Sequence, residues 1–362
     1  LMWDYDREIF CGNTEKGYRA YCHPRYYGGL PNQLYRNNRD GTFTDVSAAT
    51  GIARHIGKGM AVAVADYDLD GYPDIFVTND TLPNFLFHNE GGKGFREAAL
   101  ETGVAFNDDG RVLSSMGAEF RDFDNDGLPD ILVTALTNET HPLFRNLGDG
   151  LFEDITYPSQ IGALTLGHGG WGCGFFDFNN DGLKDLFIAN GDVQNNVELY
   201  SSRRTRQPNT VFANRGDRTF ADHTGASAFG EHLGQHRGAA FGDLDGDGRV
   251  DAVVSQLEGK AEIWRNTTAA GNHWLGVRLT GSASNRDGLG ARIHLTGASG
   301  REQWNHVTAS LGYGSSSDKT VHFGLGNDTR VKRIVVYWPS GKVQEVRDVA
   351  ADDYLTLLEP ED

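Results

Sequence analysis

One string of nine residues, with Asp at positions one, five and nine, Asp or Asn at position three and Gly at position six, occurs four times in this 362-residue chain. No other feature constrains the fold as tightly. The copies run from Asp66 to Asp74, Asp122 to Asp130, Asp177 to Asp185 and Asp243 to Asp251, with starts 56, 55 and 66 residues apart. Each follows small and apolar residues, such as Gly59-Met60-Ala61-Val62-Ala63-Val64-Ala65 or Ser115-Met116-Gly117-Ala118-Glu119-Phe120. Each leads into Ile75-Phe76-Val77, Ile131-Leu132-Val133, Leu186-Phe187-Ile188 or Ala252-Val253-Val254. Short apolar runs bounded by turn residues read as buried strands.

A second element recurs between the strings: Leu34-Tyr35-Arg36-Asn37, Leu86-Phe87-His88-Asn89, Leu143-Phe144-Arg145-Asn146, Val211-Phe212-Ala213-Asn214 and Ile263-Trp264-Arg265-Asn266. Four of these five run on through a turn into Phe43-Thr44-Asp45, Phe95-Arg96-Glu97, Phe152-Glu153-Asp154 and Phe220-Ala221-Asp222. One unit is therefore strand, Asp loop, strand, turn, strand, turn, strand. Four short antiparallel strands in about 55 residues make a β-propeller blade, where radial repetition protects the sheet edges. An open β array would leave them bare. The expectation is an all-β chain: a β-propeller over residues 1–268 with about five blades visible, then a small β-sandwich-like domain over residues 269–362. Residues 1–50 hold the second half of a unit with no Asp loop before it, so the first blade is expected to be incomplete and upstream blades to precede it. In the tail, alternating Val277, Leu279, Ile293 and Leu295, with Ile334-Val335-Val336-Tyr337-Trp338 before a Pro-Ser-Gly turn, read as short strands.

The spacing inside the string has a chemical reason. Calcium is a hard cation that takes about six to eight oxygen ligands at about 2.3–2.6 Å, and alternating carboxylates on a tightly curved loop supply them. In the first loop Asp66, Asp68 and Asp70 are expected to ligate, Gly71 to make the turn, Tyr72 to offer its carbonyl and Asp74 to close the sphere. The same roles fall to Asp122, Asp124, Asp126, Leu128 and Asp130; to Asp177, Asn179, Asp181, Leu183 and Asp185; and to Asp243, Asp245, Asp247, Arg249 and Asp251. Asn179 offers a carbonyl oxygen with no charge, so the third site is expected to bind more weakly. An EF-hand or dockerin loop begins alike, but an EF-hand needs a bidentate Glu at position twelve and flanking helices. Position twelve is Val77, Val133, Ile188 or Val254. Asp-Gly turns without metal would crowd several carboxylates with no compensation, which is costly. About four Ca2+ ions are expected.

Charge bears on partners. Lysine and arginine number 33 against 50 acidic residues, a formal net charge of −17. Such a polyanion repels nucleic acid and anionic lipid. The loops hold 15 carboxylates, and four calcium ions would bring the charge to −9. No apolar run reaches 18 residues, so no transmembrane segment is expected. The opening Leu1-Met2-Trp3-Asp4-Tyr5 lacks the basic start and apolar stretch of a secretion signal, which reads as a mature protein or a fragment.

Other candidates for chemistry are few. Cys11 and Cys22 are spaced to close a short loop by a disulfide in a secreted chain, with two free thiols as the alternative. Cys173 reads as a buried small hydrophobe. His23, His168, His232 and His236 could gather near one face, although none has a helical or hairpin ligand spacing. Arg203, Arg204 and Arg206 read as a solvated basic loop rather than an anion site. Asn138, Asn266 and Asn327 begin glycosylation sequons. Asn285-Arg286-Asp287-Gly288 reads as a structural turn, with a binding loop as the alternative.

The loops, with Leu34-Tyr35-Arg36-Asn37-Asn38 leading to Gly41-Thr42-Phe43, resemble FG-GAP or VCBS repeats of the integrin-α type. The tail strings His273-Trp274-Leu275, Ser284-Asn285-Arg286-Asp287-Gly288-Leu289-Gly290-Ala291-Arg292, His322-Phe323-Gly324-Leu325-Gly326 and Val336-Tyr337-Trp338-Pro339-Ser340-Gly341-Lys342 resemble the ASPIC and UnbV domain. Together they look like the cartilage acidic protein family, and the resemblance covers nearly the whole chain. It implies seven blades in the intact propeller, an Asp loop upstream of Tyr21-Cys22, and a secreted, extracellular or periplasmic location. It also implies a calcium-binding module that contacts an extracellular protein or glycan. Two other functions stay open: a propeller enzyme (lyase, hydrolase or natural-product cyclase), marked by titratable groups converging on the channel or the tail interface, and a structural component of an extracellular assembly.

Overall fold

Each repeat folds into one antiparallel meander in the computed structural model, which describes residues 9–269 and 271–361. The first four-stranded sheet joins Gly59–Ala65, Asp74–Asn79, Phe85–Asn89 and Phe95–Glu97. The second joins Ser115–Arg121, Asp130–Ala135, Leu143–Gly148 and Leu151–Asp154. The third joins Gly170–Phe176, Asp185–Asn190, Thr210–Asn214 and Phe220–Asp222. The fourth has three strands, His236–Gly242, Asp251–Gln256 and Glu262–Trp264, as expected where the outer Phe segment is missing from the sequence. The half unit is a hairpin of Tyr35–Asn37 and Phe43–Asp45. These are propeller-like blades, and the initial Leu1 to Glu8 of the half unit lie outside the described residues.

The apolar runs are unbroken where neighbours bury both faces of a sheet, as in the second, whereas Val62 and Val64 of the first and Ile263 of the fourth stay exposed. Ile131 and Val133 join Phe76, Leu86 and Phe120 in a core shared with the first sheet. Leu132, between them, joins Phe175, Leu186 and Phe212 in a core shared with the third. Strand side chains alternate between faces, so a strand between two neighbours has no polar side. Each such side chain contributes about 1.5–3 kcal/mol on burial.

The first strands of successive sheets pack on one another in chain order, and each carries a register shift at the same place: Gly59/Ala61, Ser115/Ala118, Gly170/Cys173 and His236/Ala239. A Cβ at Gly117 would strike the Trp171 carbonyl, and one at Gly172 the backbone of Ala239, so glycine there is what lets neighbouring blades approach. The Thr78 hydroxyl donates to the Met116 carbonyl at 3.0 Å and the Thr134 hydroxyl to that of Trp171 at 2.8 Å, tying each blade to the next.

The tail is a sandwich. One sheet places His273–Thr280 between Val321–Gly326 and, in parallel, Asp353–Leu358. The other orders Glu302–His306, Arg292–Gly297, Arg330–Tyr337 and Val343–Ala350. Leu275, Val277 and Phe323 from the first meet Ile293, Leu295, Ile334 and Val336 from the second. Asn285-Arg286-Asp287-Gly288 is a turn, with the Asn285 side chain bonded both ways to the Leu289 backbone.

Residues 308–318 of the tail run along the first strands of all four sheets. Gly312 exchanges backbone hydrogen bonds with Ala118, Ser310 accepts from the Val64 amide, Ser315 from Ala239 and Ser317 from Phe241. The Cys11–Cys22 disulfide is formed, Cys173 is buried, and the segment the disulfide closes rests on the insertion of the third unit, where Tyr18 stacks on Tyr200 at 5.3 Å.

Candidate metal centres

All four Asp loops share one internal geometry. The position-one carboxylate (Asp66, Asp122, Asp177, Asp243) accepts the amides of positions five and six at 2.6–3.1 Å. The position-five carboxylate (Asp70, Asp126, Asp181, Asp247) accepts the amide of position seven: Tyr72, Leu128, Leu183 or Arg249. The position-nine carboxylate (Asp74, Asp130, Asp185, Asp251) accepts the amide of position two on one oxygen and that of the strand-motif Asn on the other. Backbone at position six is left-handed, as the glycine there allows, with φ of 92, 94, 91 and 80°. Position four is left-handed too, at Leu69, Asn125, Asn180 and Gly246.

These bonds curl the loops so that acidic groups converge. Asp66 with Asp68 and Asp70, Asp122 with Asp124 and Asp130, and Asp243 with Asp245 and Asp251 each bring three oxygens within 4.8 Å of one another, as do Asp68, Asp74 and the nitrogen of His88. These four Asp-rich groups, which could each hold an ion, fall on three of the loops. The third loop, where Asn179 replaces the position-three carboxylate, brings no such group together, and Asn179 turns its amide to Asp181 at 2.9 Å.

Burial, reinforced by like-charged neighbours, pushes the carboxyls of Asp66 and Asp122 up to about 6, Asp74 up to about 8 and Asp185 up to about 7. Asp130 and Asp177 are raised well above the ordinary carboxylate range for the same reasons. Asp243 goes the other way: burial alone would raise it, but the Tyr354 hydroxyl at 2.5 Å and three amides outweigh that. The Asp124 side chain is 7% exposed; its Oδ2 takes Arg145 and Arg218, while its Oδ1 is buried with no hydrogen-bond partner. A buried acceptor left unpaired costs about 1–3 kcal/mol, and a dication in the loop would satisfy it, so the residues fit a bound calcium ion.

The tail sandwich sits on this face. A Cβ at Gly127 would meet the Trp304 ring, at Gly182 the Arg301 guanidinium and at Gly248 the Trp274 ring, whereas Gly71 of the first loop faces open space. Arg301 donates to the Asp181 carbonyl, and His322 bonds the Asn180 side chain at 2.6 Å. Position four laces the covered loops together: Asn125 donates to the Gly182 carbonyl at 3.3 Å and Asn180 to that of Gly248 at 3.0 Å. Leu69 has no amide to do the same from the first loop.

The strand-motif Asn performs two tasks. Besides its backbone bond to position nine, its side chain reaches back one blade: Asn146 donates to the Tyr67 carbonyl, Asn214 to that of Phe123 and Asn266 to that of Phe178. The repetition of this Asn was visible in the sequence, but not its target. The residue just before it leans over its own loop. Arg145 pairs with Asp124 and Asp126, and Arg265 with Asp245 and Asp247. His88 Nδ1 lies 3.3 Å from both Asp68 and Asp74, so sequence reasoning missed this group.

The other candidates separate. His232 and His236 meet on Glu262, at 2.8 and 3.2 Å, while His23 caps the turn Pro24–Tyr26 and His168 lies elsewhere. Arg203 pairs with the buried Asp192 at 3.1 Å, so that part of the basic loop is held rather than solvated. At the tail interface Glu119, Arg121, Lys184 and His306 converge, with Arg121 paired to Glu119 at 2.9 Å. The void beside them is about 20 Å3, room for about one water.

Residues 4–77, 66–133, 122–188 and 190–254 match the model of the FG-GAP-like repeat family, and residues 281–362 that of ASPIC and UnbV. Cartilage acidic protein 1 of Homo sapiens is 30% identical over 328 residues, covering 87% of this chain and 46% of its own length. The Mus musculus protein is 29% identical over 328 residues, covering 87% and 47%. The chain thus spans about half the length of the curated relatives it matches. Among solved structures, an Agrocybe aegerita lectin that recognises non-reducing terminal N-acetylglucosamine superposes with a TM-score of 0.32 at 18% identity, over 66% of this chain and 75% of the lectin, too distant to carry an argument.

Proposed function

The chain belongs to the FG-GAP-like repeat family, and on that premise we propose that it is a calcium-stapled extracellular binding module, with its blades part of a propeller and its Asp loops the calcium sites. The observation that carries the reading is the shared loop geometry, with the unpaired, buried Asp124 Oδ1 inside it. Asp66, Asp68, Asp70, Asp74 and the carbonyl of Tyr72, and their counterparts in the other loops, would hold the ions. Calcium there offsets repulsion that the fold otherwise bears and rigidifies the surface presented to a partner, an extracellular protein or glycan. The Cys11–Cys22 disulfide supports an oxidising, extracellular setting. Among the described residues no helix is long and apolar enough to cross a membrane. The enzyme reading draws on the titratable groups at the tail interface; the void beside Arg121, Lys184 and His306 is about 20 Å3, too small for a substrate, and the wider cleft of about 540 Å3 between the first loop and the tail holds Asp66 and Arg292.

Calorimetric titration of the chelator-stripped chain is the test. Three or four calcium ions per chain are expected, with the third loop weakest; fewer than three overturns the calcium reading. The binding role is tested by passing the calcium-loaded chain over immobilised extracellular proteins and glycans. Retention abolished by chelator supports it, and no retention on any surface favours a structural part in an assembly.

A further inference from the structure

The first loop departs from the others in one side chain and in its surroundings. At the position before the strand-motif Asn, blades two and four carry Arg145 and Arg265, each already neutralising its own loop, and blade three carries Ala213. Blade one carries His88. Its Nδ1 is out of contact with water, has no hydrogen-bond partner, and faces Asp68 Oδ2 and Asp74 Oδ1 at 3.3 Å each. Asp74 is fully buried, and the His88 ring packs edge-on against Tyr67. The other loops are roofed by the tail. This one opens onto a cleft of about 520 Å3 lined by Tyr67, Asp70, Arg96, Glu101 and Asp149.

We propose that the first loop is an exchangeable site, whose calcium gives way to a zinc-class transition-metal dication held by a mixed nitrogen–oxygen set of His88 Nδ1, Asp68 and Asp74. Zinc binds imidazole nitrogen and carboxylate oxygen at about 2.0–2.2 Å, which places neighbouring ligand atoms of a tetrahedral site about 3.3–3.5 Å apart. The two separations at His88 lie at that spacing. One imidazole proton satisfies one carboxylate at most, whereas a dication satisfies all three atoms together. Calcium prefers six or more oxygens and imidazole does not suit it, while first-row metals accept nitrogen readily. The open cleft supplies the entry path and remaining coordination positions that a closed structural site lacks.

The inference rests on the loops being metal sites, and the experiment separates the two. Tag-free chain saturated with calcium is titrated with Co2+, read by its visible d–d absorption, while bound calcium is counted by elemental analysis. One Co2+ per chain with a nitrogen-containing, low-coordinate spectrum is expected, with calcium kept on the covered loops. His88→Ala should weaken Co2+ binding at least tenfold without changing that calcium count. His88→Arg, which copies the arrangement native at Arg145 and is compatible with the fold, should abolish the spectrum. Equal Co2+ affinity in all three proteins, or Co2+ displacing calcium from every loop alike, overturns the proposal. Absence of calcium from the covered loops overturns the calcium reading instead, and leaves the Co2+ spectrum at His88 still readable.

Discussion

The first and second Asp loops are spelled by the same nine-residue rule and fold into the same hydrogen-bond pattern, yet they sit in different worlds. Asp122 is nearly fully buried, its loop is laced to the third through Asn125, and Trp304 lies over Gly127. Asp70 is exposed, Leu69 makes no such link, and a cleft of about 540 Å3 separates Gly71 from Trp338 and Pro339 of the tail. The string dictates curvature and carboxylate spacing. Affinity, exchange and metal preference follow from residues that lie far away in sequence: the tail, position four, and the residue before the strand-motif Asn.

The largest effect should come from removing all ions. If the covered loops carry the tail on their calcium, excess chelator lowers stability by about 2.7 kcal/mol for each site whose free calcium stood a hundredfold above its Kd. Hydrogen exchange should then rise in residues 301–326 before it rises in residues 59–97. Uniform loosening, or an unchanged melting temperature, would erase the distinction between covered and open loops.

Next comes Asp130→Ala. It strips the amides of Phe123 and Asn146 of their acceptor inside a buried loop, a cost of about 2–4 kcal/mol in thermal or denaturant unfolding. Because blades pack on neighbours, the damage should centre on residues 115–148 and fade with distance. Trp304→Ala is expected to be milder, about 1–2 kcal/mol. Its ring is half-buried, stacked on His294 at 4.1 Å, and roofs only one loop. The second loop's calcium should exchange faster in that variant, measurable by stopped-flow chelation. Asp70→Ala, on the open loop, should cost within about 1 kcal/mol and leave tail protection untouched.

A pH effect serves as a control away from the loops. Burial holds the His141 imidazole down to about 3, so it is neutral when folded and titrates near its ordinary 6.5 when unfolded. At this residue the unfolded chain then binds more protons below about 6.5, so the His141 contribution to stability falls as pH drops from there toward 3, opposite in sign to that of the raised loop carboxyls. His141→Leu should remove that contribution relative to the parent without altering calcium binding.

Much of this was legible beforehand because the determinants are local. The Asp loops, the four-strand unit, the missing outer strand of the fourth sheet and the Cys11–Cys22 pair all depend on residues within a few turns of chain. The roofing of Gly127, Gly182 and Gly248 was not legible: nothing near Trp304, Arg301 or Trp274 in sequence marks them as lids over loops more than 20 residues away. His88 was in view, as the odd residue among Arg36, Arg145, Ala213 and Arg265, but its meaning needed the third dimension. The histidines grouped from sequence split for the same reason, and only His232 and His236 share a partner.

The backward reach of the strand-motif Asn gives assembly a direction. The carbonyl of Tyr67 is held by Asn146, that of Phe123 by Asn214 and that of Phe178 by Asn266, so each loop is completed by a residue translated about 80–90 positions later. As the chain emerges amino end first, a loop cannot lock until the following blade exists. Ion loading should therefore trail synthesis by one repeat, and the fourth loop, to which no described strand-motif Asn reaches back, should lock only when Tyr354 of the tail reaches Asp243.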